Sequence, residues 1–241
     1  MHKFFAQPQN IGESTIHLDG DDAKHITKVL RLGQNDMVMV CDGNCNDYLC
    51  TIATADKNGV ALTINQVLKN TTECPLDITI YQSIPKSDKM DYIIQKCVEL
   101  GVNEIIPVVT ERTVVKVKDG DRKRERWQRI ALEAAKQCGR GVVPAIGEVC
   151  TFREAIDSEG GLKLFPYENE RASSIRKVLE EAQGVQKVRI FVGPEGGFAE
   201  EEAECARENG WQTVKMGPRI LRCETAPVAA TAAVICMLGD W

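Results

Sequence analysis

The chain has 241 residues, of which 43% are hydrophobic and 27% are charged, proportions that exclude wholesale disorder, a collagen-like fibre and a disulfide-stapled mini-protein. This length permits one large domain or two smaller ones, each with its own core. The 30 Lys and Arg residues against 35 Asp and Glu residues give a formal net charge of −5. As a sum this charge argues against a nucleic-acid partner, although a binding face depends on where the charges lie.

The first 72 residues have a mostly strand-like pattern. The β-rich runs are 36–41, 48–53 and 59–68. The first two are joined through a cluster of Gly, Asn and Asp, which predicts a hairpin. One helix precedes them, capped by Asp21 or Asp22 and stopped at Gly33. We therefore expect a small β-barrel-like domain over 1–72.

Beyond residue 72, strands alternate with helices, which is typical of an α/β domain with a largely parallel sheet, here over 73–241. The predicted strands are 76–81, 104–109, 162–165, 188–192 and 213–216. One helix is capped by Ser87 and ends at Gly101, a second ends at Gly139, and a Glu-rich third spans 200–209. The residues expected to face inward from the first two helices are Met90, Ile93, Ile94, Cys97, Val98, Trp127, Ile130, Ala131, Ala134, Ala135 and Cys138.

The charges are distributed unevenly along the chain. Residues 112–140 contain ten Lys or Arg against four acidic side chains, whereas 195–208 contain six Glu against one Arg. Other basic residues are Lys24, Lys28 and Arg31 on one face of the first helix, and Lys86 and Lys89 where a helix begins. A solvated face explains one basic run, but three basic surfaces indicate a polyanionic partner.

Two glycine-containing turns follow predicted strands in the α/β half. Gly193-Pro-Glu-Gly-Gly197 lies at the carboxyl end of a strand, where ligands bind in open α/β sheets. This turn lacks the glycine pattern of dinucleotide-binding proteins and the Lys-Ser/Thr of phosphate-binding loops. Its acidic surroundings suit a ligand with positive character. The alternative is a tight turn that binds no ligand. The second turn precedes a helix capped by Thr225. There the charged Arg219, Arg222 and Glu224 stand beside the apolar Ile220 and Leu221, as in a ligand pocket.

The chain carries no evident targeting or membrane signal. Its first ten residues have no apolar h-region, and the most apolar stretch, 226–238, is too short to span a bilayer. A cytoplasmic protein with ten reduced cysteines is therefore expected. Cys41, Cys45 and Cys50 have no nearby His and no second pair, so no metal is predicted.

Two motifs carry a family resemblance. Phe191-Val-Gly-Pro-Glu-Gly-Gly-Phe198 and Met216-Gly-Pro-Arg-Ile-Leu-Arg-Cys-Glu-Thr-Ala226 resemble the ribosomal RNA small subunit methyltransferase E family, uridine-N3 methyltransferases of the SPOUT superfamily. Weaker matches follow in the right order at 25–31, 42–43, 85–91, 95–101 and 133–140. The chain departs from the family pattern at Lys3, where Arg is expected, at Asn35 and Ser87, where Gly is common, and at Cys138, where Ser is common.

The resemblance implies a fold, a cofactor and an assembly. The implied fold is a PUA-like β-barrel domain followed by a SPOUT α/β domain whose C-terminal segment forms a trefoil knot. The family binds S-adenosylmethionine in that knot and forms homodimers through the knotted domains. Mapped onto this chain, the implied cofactor-binding residues are Leu164, Phe165, Pro166, Gly193, Pro194, Glu195, Gly196, Gly197, Met216, Gly217, Ile220 and Leu221.

The resemblance also implies the reaction, methylation of N3 of a uridine in 16S ribosomal RNA of the small subunit. Uracil N3 becomes nucleophilic when its proton leaves, and the charge then spreads onto the flanking carbonyl oxygens, where a cation stabilises the transition state. We assign that cation to Arg222, and assign Glu224 as the proton acceptor or the residue that orients it; a structural ion pair is the alternative for both.

Uracil N3 lies on the Watson–Crick edge, so the target base must be unpaired or extruded. Such RNA is bound through its shape and its phosphates. The residues expected to bind the RNA are His25, Lys28, Arg31, Lys86, Lys89, Arg112 and Arg140. For His25, partial burial in the helix is an equally good interpretation.

Two other functions stay open at this point. A nucleotide-cofactor oxidoreductase would also use an open α/β sheet, but the missing dinucleotide fingerprint and the acidic helix after the glycine turn count against it. A non-catalytic RNA-binding or ribosome-assembly protein explains the basic segments but leaves the residues at 220–224 without a purpose.

Overall fold

The computed structural model of the protein describes residues 1–56, 59–115 and 119–241. The chain divides into two compact units, Met1–Glu73 with Ala135–Val143, and Cys74–Ala134 with Pro144–Trp241. The short segment Ala135–Val143 from the middle of the chain thus belongs to the first unit. The predicted division into 1–72 and 73–241 is contiguous and does not contain this exchange. Its Lys136 pairs with Asp22, Nζ to Oδ1 2.7 Å, an attachment that no local pattern predicts. None of the helices in these ranges has the length and apolar character needed to cross a bilayer.

The first unit is built on a mixed sheet. Its strands, in the residues described, are β1 (Lys3–Phe5), β2 (Thr15–Leu18), β3 (Met37–Cys41), β4 (Asn46–Asp56) and β5 (Gly59–Lys69), in the spatial order β1-β3-β4-β5-β2. β1 runs parallel to β3, and the other neighbours are antiparallel. The antiparallel pairing of β3 with β4 confirms the predicted hairpin. Strands β1 and β2 have only three and four residues, too few for alternation to reveal them.

The helix of the first unit differs at both ends from the prediction. A 3-10 turn (Pro8–Asn10) precedes β2, and α1 (Gly20–Lys24) continues into a π-helical turn (His25–Val29). The N-cap is Asp19, whose backbone is extended, not Asp21 or Asp22, which lie in the first turn. The helix ends before Gly33 because Arg31 has a φ of +56°, a left-handed conformation that interrupts a right-handed helix. The core of this unit contains Phe4, Ile16, Ile26, Val38, Val40, Ile52 and Leu62.

The second unit is built on a parallel sheet, which confirms the predicted α/β class. Its described strands are β6 (Asp77–Ser83), β7 (Glu104–Val109), β8 (Ala145–Ile146), β9 (Cys150–Thr151), β10 (Leu162–Pro166), β11 (Lys187–Val192) and β12 (Gln212–Val214). Their spatial order is β12-β10-β11-β6-β7-β8, with β9 also paired to β7, and each pair is parallel. The trefoil knot implied by the resemblance stays a prediction.

The helices of the second unit begin close to the predicted residues. They are α2 (Lys89–Glu99), α3 (Gly120–Cys138), α4 (Phe152–Ile156), α5 (Ile175–Glu181), α6 (Glu200–Glu208) and α7 (Thr225–Leu238), α3 ending in the first unit. Asp88 and Glu224, rather than Ser87 and Thr225, are the N-caps of α2 and α7. Ser87 has a φ of +57°, outside the extended region usual for an N-cap. All five predicted inward residues of α2 are buried.

Aromatic packing beneath the sheet supports the turn after β11. Phe198, the first residue after that turn, stacks on Phe165 of β10 with ring centroids 4.1 Å apart. Phe191 and Trp211 complete the cluster through edge contacts, and the Trp211 indole donates to the Ile156 carbonyl at 3.0 Å. The start and end of the glycine turn are therefore held by the rigid core.

Candidate functional site

A pocket of about 760 Å³ lies at the carboxyl ends of β10, β11 and β12. This is the edge at which open parallel sheets bind their ligands. Its lining combines the turn after β11 with the loop between β12 and α7, the two segments that the sequence singled out. The lining residues are Lys89, Pro166, Tyr167, Glu168, Arg171, Val192, Gly193, Pro194, Glu195, Gly196, Gly197, Phe198, Lys215, Met216, Gly217, Pro218, Arg219, Ile220, Leu221, Arg222, Cys223 and Ala226.

The glycine turn after β11 is closed by a backbone hydrogen bond and accommodates its last glycine tightly. Gly197 N–H donates to the Pro194 carbonyl at 3.0 Å, and Gly197 has a φ of +66°. A Cβ atom at Gly197 would collide with the Glu168 carboxylate, which occupies that space. Both the backbone conformation and the crowding therefore require glycine here.

Ten of the twelve predicted cofactor-binding residues line the pocket, and Leu164 and Phe165 do not. Both are fully buried within the second unit, because helices cover both faces of a parallel sheet and successive strand residues are then enclosed. Phe165 contributes indirectly by stacking under Phe198. The first pocket-lining residue of this strand is Pro166, at its carboxyl end.

The structure adds a group of lining residues that the sequence interpretation missed. Tyr167, Glu168 and Arg171 follow β10, and Lys215 follows β12. The Arg171 guanidinium donates to the Glu168 carbonyl at 2.9 Å, and Lys215 Nζ donates to the Arg171 carbonyl at 3.2 Å. The Glu168 carboxylate has no hydrogen-bond or ion-pair partner in the described part of the chain. The rule applied to the glycine turn, that ligands bind at the carboxyl ends of strands, also applies to 166–171 after the predicted strand 162–165 and could have found them.

The loop between β12 and α7 is anchored at its C-terminal end. The Arg222 carbonyl accepts hydrogen bonds from Thr225 N–H and Ala226 N–H, both at 2.9 Å, so its backbone is bound to the first residues of α7. The Arg222 side chain is exposed and forms no ion pair with any residue in the described ranges. Ile220 is 87% exposed, so the described residues leave most of this apolar side chain uncovered.

Glu224 pairs with Lys89, not with Arg222. Lys89 Nζ lies 3.3 Å from Glu224 Oε2 and 3.0 Å from Glu195 Oε1. The bond to Glu195 is the main reason that the pKa of Lys89 rises to about 12. Burial acts to raise the pKa of Glu224, but the bonds from Cys223 and Lys89 outweigh it and lower that pKa. These bonds therefore favour the ionised form of Glu224 and make it a weaker base than an unpaired glutamate.

The acidic helix α6 does not supply the charge of the pocket. Its Glu202 is buried and accepts from Ala199 N–H at 3.0 Å and Glu111 N–H at 2.9 Å, so it caps its own helix. The other glutamates of α6 are exposed and do not line the pocket. Of the six glutamates in the acidic stretch 195–208, Glu195 lines the pocket and pairs with Lys89. Glu168 is a further lining carboxylate, and it has no partner in the described residues.

The predicted RNA-binding residues divide between the two units. In the first unit Lys28 and Arg31 are exposed, and His25 is half-buried with its ring against the edge of Phe4. In the second unit Lys86 is exposed, and Arg112 donates to the Gly196 carbonyl at 2.8 Å. Lys89 is held by the two carboxylates described above.

Arg140 does not belong to an exposed basic surface. It is 2% exposed and pairs with Glu73, because a buried guanidinium requires a charged partner. Within the basic tract 112–140, Arg124 pairs with Glu148 and Arg126 pairs with Asp91. Lys116 and Lys118 of that tract lie outside the described residues. The excess of positive charge counted along the sequence is therefore partly neutralised.

The structure shows the local environment of three positions at which the chain departs from the family pattern. Asn35 and Ser87, where Gly is common, have φ values of +74° and +57°, and such left-handed conformations favour glycine. Lys3, where Arg is expected, lies 2.7 Å from Asp47 Oδ1 and donates to the Gly139 carbonyl at 3.0 Å. Lys3 is therefore part of the structure of the first unit.

The described residues of this pocket include neither a group suited to bind a metal ion nor a readily ionised thiol. No group of three or more His, Cys, Asp and Glu side chains with metal-binding geometry occurs in the described ranges. All ten cysteines are free, and burial is the largest cause that raises the pKa of the pocket thiol of Cys223 to about 12. A thiol that resists ionisation is a poor nucleophile.

Comparison with known proteins identifies the family. A family model described as an RNA methyltransferase domain matches residues 72–235, and a model described as an RNA methyltransferase PUA domain matches residues 18–65. The ribosomal RNA small subunit methyltransferase E of Bacillus subtilis is 32% identical over 97% of this chain and 96% of its own length. That of Aquifex aeolicus is 31% identical over 98% and 99%.

Solved structures agree with the sequence comparison. The ribosomal RNA small subunit methyltransferase E of Neisseria gonorrhoeae bound to S-adenosyl methionine superposes with a TM-score of 0.91 at 35% identity, covering 100% of this chain and 99% of that one. A Legionella pneumophila methyltransferase with bound cofactor superposes with a TM-score of 0.90 at 28% identity over 99% and 98%. The chain therefore belongs to the ribosomal RNA small subunit methyltransferase E family of RNA methyltransferases.

Proposed function

We propose that this protein methylates N3 of a uridine in small-subunit ribosomal RNA, with S-adenosylmethionine as the methyl donor. The observation that carries the proposal is the pocket itself. The two segments that carry the family motifs meet there, and one of the lining residues is Arg222, whose exposed side chain has no ion-pair partner in the part of the chain that is described. Neither an oxidoreductase nor a non-catalytic RNA-binding protein accounts for that combination.

The residues of the pocket fit the proposed cofactor. The donor is cationic at its sulfonium and ammonium groups, and Glu168 offers a carboxylate without a partner in the described residues. Gly193, Gly196 and Gly197 carry no side chains, so the backbone of the turn can be approached closely. The cofactor would be held by the glycine turn, by Pro166 and by the loop residues from Met216 to Leu221. When bound, it supplies an electrophilic methyl group.

Arg222 is the proposed catalytic cation. Its backbone is fixed by α7 while its charged end is exposed, so it can approach a carbonyl oxygen of the target base. Negative charge grows on that oxygen as the N3 proton passes to solvent water and N3 takes the methyl group, and a positioned cation stabilises that charge. Because its ion pair with Lys89 makes Glu224 a weaker base, we assign Glu224 to holding the loop rather than to accepting the proton.

The proposed RNA contacts are the exposed cations of the two units. Lys28 and Arg31 in the first unit, and Lys86 and Arg112 in the second, have charged ends that no carboxylate in the described residues neutralises. They support phosphate binding, whose strength falls steeply as the salt concentration rises. Arg140 is left out of this set because it is buried.

Helix α7 supports the proposed homodimer. It is apolar around its circumference, and one side is buried in the second unit while the other is half-exposed or exposed. The uncovered side chains are Val228, Ala229, Ala232, Ala233, Cys236 and Met237. A contiguous uncovered apolar face is typical of an interface, and a second copy related by a two-fold axis would cover it. We also propose a cytoplasmic location, with which the ten free thiols agree.

Two measurements test the proposed function. Calorimetric titration should give binding of S-adenosylmethionine and none of NAD; absence of binding by the folded protein would leave the non-catalytic alternative. Methyl transfer should then be measured on free ribosomal RNA and on small subunits from a strain that lacks the enzyme, with the modified base mapped. N3-methyluridine is the expected product, and a methyl group on another atom or base contradicts the proposal.

A further inference from the structure

Lys89 connects the two segments that form the pocket. It is the first residue of α2, and its ammonium contacts Glu195 of the glycine turn and Glu224 of the loop before α7, at 3.0 and 3.3 Å. Glu195 and Glu224 belong to different segments, and neither contacts the other directly in the described structure. Lys89 is therefore a direct ionic link between the two segments.

The position of Lys89 at the start of a helix is unfavourable for a cation, since a helix N-terminus carries partial positive charge. The Glu195 carboxylate offsets this, because it accepts both from Lys89 Nζ and from Lys86 N–H, each at 3.0 Å. Ser87 adopts a φ of +57° between these two donors. The segment before α2 is thus shaped to direct two donors at one carboxylate of the glycine turn.

The Lys89 side chain is only partly exposed where it meets its partners. The side chains of Lys89, Glu195 and Glu224 are 29%, 29% and 22% exposed, and the Cys223 thiol lies 3.7 Å from Nζ. The neighbouring Lys86 is exposed, and its ammonium has no carboxylate partner in the described ranges. A phosphate would have to displace two carboxylates to reach Lys89 but none to reach Lys86.

We propose that Lys89 is a positioning residue that fastens the glycine turn to the loop carrying Arg222, rather than a contact to RNA phosphate. Glu224 follows Arg222 by two residues, so fixing Glu224 restricts where the Arg222 side chain can reach. The catalytic consequence of the proposal rests on the proposed function, whereas the mechanical link between the two segments does not.

Limited trypsin digestion tests the link without any cofactor or RNA. Arg219 and Arg222 are exposed cleavage sites in the loop, and cleavage of a transiently opened segment follows the population of its open form. Two partly exposed ion pairs together stabilise a closed loop by roughly two- to tenfold. The variant Lys89→Met should be cleaved faster after Arg219 and Arg222 by about that factor, and Lys89→Arg should restore slow cleavage. Unchanged cleavage in Lys89→Met overturns the proposal.

Lys96→Met is the matched control, since Lys96 also lies on α2 and pairs with Glu99 away from the pocket. It should leave cleavage after Arg219 and Arg222 unchanged, and unfolding curves of all variants establish that they are folded.

RNA binding separates positioning from phosphate contact. Lys89→Met should lower kcat and leave the slope of log affinity against log salt concentration equal to that of the wild type. Lys86→Met should make that slope shallower by roughly 0.7 to 0.9 units, the contribution of one phosphate contact. An equal loss in Lys89→Met would make Lys89 an RNA contact and overturn the proposal. If the wild type binds no S-adenosylmethionine, the proposed function fails while the digestion result still decides the link.

Discussion

The buried guanidinium of Arg140 is bound by the carboxylate of Glu73, with Nη2 2.5 Å from Oε2 and Nε 3.2 Å from both carboxylate oxygens. Glu73 also accepts from Gly141 N–H at 2.8 Å and Val142 N–H at 3.2 Å. One carboxylate therefore receives four donor groups from the segment that joins the first unit. This pair explains why Ala135–Val143 belongs there.

Replacing Glu73 should strongly destabilise the protein. Glu73→Gln removes the carboxylate that binds the buried Arg140 guanidinium, and losing one member of a buried ion pair costs about 3 kcal/mol in the free energy of unfolding. Chemical denaturation measures the loss. Glu180→Gln, which removes the partner of exposed Arg176, should change the same free energy far less, because an exposed ion pair contributes little. Equal effects of the two substitutions would contradict the structural role of Glu73.

Acid should remove the stabilisation from Glu73. Burial acts to raise the pKa of Glu73, but its bonds with Arg140 outweigh this and lower that pKa below its usual value. The folded state thus favours the ionised form, and its contribution is complete above the unfolded pKa of about 4.3 and is lost as pH falls through the folded pKa. The difference in unfolding free energy between wild type and Glu73→Gln should shrink from pH 7 to pH 3. A difference independent of pH contradicts this assignment.

Gly197 should tolerate alanine worse than Gly184 does. Both have similar positive φ values, +66° and +68°, so each substitution incurs left-handed strain of about 1 kcal/mol. Only at Gly197 does the added Cβ meet another group, the Glu168 carboxylate. Gly197→Ala should therefore also weaken S-adenosylmethionine binding by about tenfold, which corresponds to about 1.4 kcal/mol, whereas Gly184→Ala should leave it unchanged. Calorimetry measures both affinities.

Glycine at position 87 should stabilise the protein. Ser87 has a φ of +57°, and relieving this strain with Ser87→Gly should raise the free energy of unfolding by about 1 kcal/mol, less the added entropy of the unfolded chain. Asn35→Gly should gain less although its φ is +74°, because asparagine tolerates this region. Denaturation curves compare the two, and a loss of stability in Ser87→Gly contradicts the strain argument.

Arg222 and Arg219 should differ in their effect on catalysis. Both line the pocket from the same loop and are exposed, but only Arg222 is fixed at the start of α7. Arg222→Met should lower kcat by roughly 10²- to 10³-fold with cofactor affinity retained, as for the loss of one transition-state donor. Arg219→Met should change mainly the KM for RNA. Similar kcat values for Arg222→Met and the wild type would remove Arg222 from the mechanism.

The local sequence pattern was sufficient to predict many of the strands and helices of the second unit. The predicted strand at 104–109 coincides with β7 (Glu104–Val109), and the five inward residues of α2 are buried as predicted. Both glycine-containing segments line one pocket. These features depend on residues close together in the sequence, whose periodicity and turn chemistry are visible without a structure. The short strands β1 and β2 were missed because three or four residues carry no readable period.

The identity of each charged partner depended on the tertiary structure. Lys89 meets a carboxylate 106 residues away, and Arg140 meets one 67 residues away, so counting charges along the chain could not distinguish either from an exposed cation. The sequence by itself determined the family, the α/β class of the second unit and the segments that form the pocket. Only the fold decided which cations are free to meet RNA and which are neutralised, because burial and ion pairing depend on residues that the chain brings together from a distance.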